Sequence, residues 1–73
     1  MKVRAHIPSV EEVEVYVPKD LKIEDLKETI CRRLKIEPEF TRLLLDGKIL
    51  DERKRLSQFD ARSKKIEVDY LWA

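Results

Sequence analysis

The first residues alternate between apolar and polar. Met1, Val3, Ala5 and Ile7 are apolar while Lys2, Arg4 and His6 are polar, which is the period of a strand with one buried face. The same period returns in Val13, Val15 and Val17, interleaved with Glu12, Glu14 and Tyr16. Pro8-Ser9 breaks the first run, so the two runs predict a hairpin that Pro18 ends. From Ile23 the period changes: Ile23, Leu26, Ile30 and Leu34 form one stripe of an amphipathic helix. Glu24, Asp25 and Glu28 lie near its start and Arg32, Arg33 and Lys35 near its end, charges that complement the helix dipole at both poles. Pro38 forbids simple continuation, so residues 36–41 are predicted as a connecting loop.

Arg42-Leu43-Leu44-Leu45 then reads as a short apolar strand, closed by Asp46-Gly47, a strong turn signal containing the only glycine in the chain. Leu50 resumes the apolar pattern. Residues 51–56 are mostly polar and predicted irregular, Leu56-Ser57-Gln58-Phe59 a short turn of helix, and Ile66, Val68 and Tyr70 a last strand. The order ββαββ, with one main helix packed on one face of a mixed sheet, defines an α+β roll.

The chain of 73 residues and 8.7 kDa is expected to form a single domain over residues 1–73, with one modest core and no room for a deep catalytic cleft. Sixteen basic and fifteen acidic residues nearly cancel to +1, which argues neither for a nucleic-acid binder nor for a membrane-surface protein, and no nucleic-acid or membrane partner is expected. Local basic clusters (Arg32, Arg33 and Lys35; Arg53, Lys54 and Arg55; Arg62, Lys64 and Lys65) are interleaved with acids and read as solvated surface, with a phosphate-binding face as the lesser reading. The lone Cys31 excludes an internal disulfide and fits a reducing compartment. No apolar run approaches the length of a membrane span, and strand-like alternation begins at Met1, so cytoplasm or nucleus is the expected location.

Taken in order, Ile23-Glu24-Asp25-Leu26-Lys27, Ile30, Ile36-Glu37-Pro38, Arg42 to Leu50 with its Asp46-Gly47-Lys48-Ile49 turn, and Leu56-Ser57 with Phe59 resemble ubiquitin and the ubiquitin-like domains over nearly the whole chain. The resemblance implies the β-grasp fold, with Val3, Val13, Val15, Val17, Ile23, Leu26, Ile30, Leu43, Leu50, Leu56, Ile66 and Val68 filling the core. It also implies that Leu44 is exposed on the face opposite the helix, with Arg42, Gly47, Lys48 and Ile49 around it, as the surface by which partners recognise the family. Strand alternation supports this placement independently, because Leu43 and Leu45 cannot share a face with Leu44. An exposed leucine among basic and small residues buries apolar area against a partner helix at about 25 cal/mol per Å² before the costs of association, so weak, reversible binding is expected. Leu71 and Trp72 either extend this surface or seal the end of the core.

The chain also departs from the family pattern. It ends Tyr70-Leu71-Trp72-Ala73, where conjugating members carry a slim Gly-Gly tail. Pro8 stands where the family has an exposed leucine, and Glu67 and Asp69 occupy last-strand positions that normally complete the apolar patch around Leu44, adding desolvation cost to docking. Val10, Lys35 and Arg53 replace turn glycines, each costing of order 1 kcal/mol if the backbone keeps positive φ there. The expected function is that of a non-conjugating, monomeric interaction domain, its partner a ubiquitin-receptor-like or other helix-presenting protein. Two alternatives stay open. One is an engineered scaffold, since a highly charged, nearly glycine-free version of this pattern is what computational redesign produces. The other is a conjugatable modifier cut before its tail.

Catalytic chemistry is not expected. Cys31, read as a half-buried helix residue, and His6, read as a surface strand residue, fall on opposite sides of the fold and cannot form a nucleophile-base pair. Glu11-Glu12 and Asp51-Glu52 lie in hairpin ends and loops, without a pocket to tune them. No metal-ligand spacing or Gly-rich phosphate loop occurs, so no cofactor is expected.

Overall fold

In the computed structural model, which describes residues 1–61 and 64–71, the opening alternation becomes a hairpin of β1 (Lys2–Ile7) and β2 (Glu11–Tyr16). Its register sets Val3 opposite Val15 and Ala5 opposite Val13, so the apolar residues share one face. The turn is Ile7-Pro8-Ser9-Val10, closed by a 3.0 Å hydrogen bond from Val10 N–H to the Ile7 carbonyl. Pro8 pre-sets its first corner and Ser9 takes φ 63° at the second. Val10, one of the glycine replacements, is spared positive φ because Ser9 absorbs it.

The helix α1 (Ile23–Leu34) has the predicted bounds. Lys22 at its N-terminus provides no side-chain cap. The first-turn donors are satisfied by backbone instead: Ile23 N–H reaches the Lys54 carbonyl at 2.8 Å and Glu24 N–H the Glu52 carbonyl at 3.1 Å. Residues 51–56 are thereby docked on the helix start. At the other end Lys35 does take the left-handed conformation, φ 59° and ψ 43°. Its N–H and that of Ile36 return to the carbonyls of Arg32 and Cys31, the paired bonds of a Schellman ending.

The expected loop over residues 36–41 contains a turn of 3₁₀-helix, Pro38–Phe40, because a proline that cannot continue one helix is well suited to start another. The remaining strands are β3 (Thr41–Leu45), β4 (Lys48–Ile49) and β5 (Lys65–Tyr70), with a second 3₁₀ turn at Leu56–Gln58. The sheet thus has five strands in the order β2-β1-β5-β3-β4, one more than the sequence pattern ββαββ supplied. The extra strand is two residues long, too short for an alternation to register. Among the described residues only β1 and β5 pair in parallel.

The helix covers one face of this sheet, as expected for the α+β β-grasp roll. Val3, Ala5, Val15, Val17, Leu43, Leu45, Leu50, Ile66 and Val68 meet Ile23, Leu26, Ile30 and Leu34 across the core, with Leu56 and Ala61 closing it. Of the expected core residues, Val13 is only half-buried and, like Ile7, packs against the margin of the core near the hairpin tip. Cys31, expected half-buried, is fully buried, because the helix presents a wider face to the sheet than a single stripe. Lys27 is 9% exposed: its stem lies along the core and its ammonium reaches Glu52 at 2.9 Å.

Candidate functional site

The sheet face away from the helix carries what the core excludes. Along β3, Thr41, Leu43 and Leu45 are buried while Arg42 is exposed and Leu44 half-buried, the alternation of a strand with only one dry side. Leu44 was expected to be exposed. It is partly covered because it has cross-strand neighbours on both sides, Ile49 on β4 and Glu67 on β5. The row continues from Glu67 to His6 on β1 and Glu12 on β2, so one line of side chains crosses all five strands. Ile49 is 57% exposed and, with Leu44, forms an apolar pair at the sheet margin.

Asp46 and Gly47 hold this margin in shape. Their φ values of 54° and 78° are those of a two-residue turn whose backbone twist matches that of the paired strands. A Cβ on Gly47 would meet nothing within 4 Å, so its φ is what favours glycine there. The Asp46 carboxylate accepts a hydrogen bond from Lys64 at 2.6 Å, which raises the Lys64 pKa. Lys48 is exposed, but its cross-strand partner is Leu45, not Leu44. Register therefore divides the expected set: Arg42, Leu44 and Ile49 point to the open face, and Lys48 to the helix side of the edge.

Arg42 is not a free cation. Its Nε donates to Asp69 Oδ2 at 3.2 Å and its Nη2 donates to the same oxygen, so the two cross-strand partners neutralise each other. On the neighbouring strands, Lys65 holds Glu12 at 3.0 Å, which lowers the Glu12 pKa. Glu67 is exposed and has no ion pair among the described residues. Leu71 is 64% exposed, tied down by its N–H to the Phe40 carbonyl at 3.0 Å. Trp72, expected beside it, lies outside the described residues.

The groups considered for catalysis lie apart from one another. His6 is half-buried between Glu12 and Glu67 on the open face, with Cys31 on the far side of the sheet. Burial pushes the Cys31 thiol up, with a hydrogen bond to Thr41 working the other way, so the thiolate is disfavoured. Arg53 donates to Asp51 through both backbone and side chain and holds that carboxyl below its usual range. Glu12 and Asp51 are thus poor proton donors near neutrality. In the basic loop, Arg53 is spent on Asp51 and Arg55 on the Asp20 carbonyl at 2.9 Å. Among the described residues there is no cluster of metal-ligating side chains, and no helix is long and apolar enough to cross a membrane.

A five-stranded mixed sheet wrapped on one helix, with an apolar pair at the margin of its open face, defines a ubiquitin-like β-grasp domain. The model of the ubiquitin family matches residues 1–68, and the chain belongs to that family. No curated protein matches it. Members of such a family generally serve as modifiers or interaction domains and commonly bind protein partners.

Proposed function

We propose that the chain is a non-conjugating interaction domain, active as a monomer, that docks a protein partner on the face centred on Leu44. The observation that supports this most directly is the Leu44–Ile49 pair, apolar side chains held side by side on the wet side of a sheet whose other strand positions there are charged or polar. Arg42 and Gly47 border the pair, Lys48 adds a cation at the edge, and Leu71 adds exposed apolar surface further along the sheet. The area on offer is small, so binding is weak and reversible, in the manner of an adaptor and not of a catalyst.

The test is a residue-resolved NMR titration of the labelled domain with a panel of ubiquitin-binding domains, repeated with Leu44→Asp. Saturable shifts clustered on Arg42, Leu44 and Ile49, abolished by the substitution in a folded sample, support the proposal. Shifts confined to another face, or unchanged by Leu44→Asp, overturn it. The choice of docking over covalent transfer has its own check: a thioester formed between the chain and a ubiquitin-activating enzyme with ATP refutes it.

A further inference from the structure

The charges around the apolar pair are unequally satisfied. Asp69 is matched by Arg42, Glu12 by Lys65 and Asp46 by Lys64. Among the described residues Glu67 has no such partner, yet it is the residue directly beside Leu44 in the sheet, and it is exposed. On its other side stands His6. A partner that covers Leu44 and Ile49 must therefore also approach a carboxylate that no cation among the described residues pairs with. If the partner brings an apolar group or an acid to that spot, Glu67 loses water without compensation. If it brings an ammonium or guanidinium, the same carboxylate becomes an acceptor for a charge-assisted hydrogen bond.

We propose, on the reading that Leu44 is the docking centre, that this domain selects amphipathic helices carrying lysine or arginine one turn from the apolar residue that covers Leu44. A helix suits the surface because Leu44 and Ile49 offer one narrow apolar stripe, which the spaced residues of a helix face can cover. Strand addition is disfavoured at this margin, since β4 offers only two residues to pair with. With Arg42 paired to Asp69 and Lys48 turned to the helix side of the edge opposite Leu45, Glu67 is the discriminating charge beside Leu44 on the open face. It acts by rejecting acidic helices as much as by attracting basic ones.

The test uses two synthetic helical peptides with identical apolar faces, one with lysine and one with glutamate one turn from the central leucine. Each is titrated against the full chain and against Leu44→Asp, Glu67→Gln and Glu67→Lys, at low and high salt. The lysine peptide is expected to bind the unaltered chain roughly two- to five-fold more tightly than the glutamate peptide, the range of an exposed ion pair. Glu67→Gln should erase that preference and Glu67→Lys invert it, and high salt should shrink it. Equal binding of both peptides, abolished by Leu44→Asp, overturns the charge selectivity and leaves the docking centre standing. Binding of neither peptide, or binding indifferent to Leu44→Asp, overturns both.

Discussion

Three glycine substitutions, at Lys35, Val10 and Arg53, should move stability in different directions. Lys35→Gly is expected to stabilise, because Lys35 sits at φ 59°. A side chain in the left-handed region costs about 1–2 kcal/mol, and relief of that cost outweighs the roughly 0.4–1 kcal/mol that glycine's freedom adds to the unfolded chain. Removing the lysine also removes a favourable charge at the helix C-terminus, so Lys35→Ala is the proper reference. Glycine should exceed alanine there by about 1 kcal/mol, or roughly 4–8 °C in Tm for a domain of this size. Val10 and Arg53 do not have positive φ, so Val10→Gly and Arg53→Gly gain nothing in the folded state and lose roughly 0.4–1 kcal/mol through the unfolded one. Thermal unfolding followed by far-UV circular dichroism, all variants in one buffer, reads the order directly. If Lys35→Gly is no more stable than Lys35→Ala, or Val10→Gly is stabilising, the assignment of backbone strain is wrong.

Lys27→Met should keep the packing of the buried stem and cost less than about 1 kcal/mol, whereas Lys27→Ala, which strips away about three methylene equivalents, should cost about 2–3 kcal/mol; urea midpoints measure both. Equal losses would show that the ion pair with Glu52 dominates. Glu12 and Asp51 are held below their ordinary values of 4.5 and 3.8 by Lys65 and Arg53. A depressed carboxyl stabilises the fold above its ordinary value and loses that contribution as pH falls through the folded one. Tm should therefore drop on acidification below about pH 5, and Glu12→Gln with Asp51→Asn should flatten the slope. Cys31, fully buried with its thiol pushed up, should react with a thiol reagent only as fast as the domain opens. Fast labelling of the folded protein would contradict its burial.

Much of this architecture is legible in the chain because its periods are clean. Ile23, Leu26, Ile30 and Leu34 mark the helix to the residue, and the Leu43-Leu44-Leu45 run separates into two buried residues and one half-exposed one by alternation alone. What escapes the sequence depends on long-range neighbours. Nothing local marks Lys27 as buried, since its partner Glu52 is 25 residues away. Val10 and Ser9 are equally plausible carriers of the hairpin's positive φ until the turn is closed on Pro8. On the open face and edge of the sheet, the composition is readable but not the pairing: Arg42 with Asp69, Glu12 with Lys65, and Lys48 opposite Leu45 follow from register across the strands.

The strand order also sets a condition on the chain as it is made. β5 lies between β1 and β3, so within the sheet it is the strand that joins the first hairpin to the later one. A nascent chain that has not yet released Lys65–Tyr70 from the ribosome holds two hairpins not yet joined in one sheet, with Ile66 and Val68 missing from the core and the facing edges of β1 and β3 unpaired. Closing the sheet requires pairing residues at opposite ends of the sequence, an entropic cost met in one late step. Synthesis interrupted before Lys65 should therefore leave an open, protease-sensitive fragment with no stable half to fall back on.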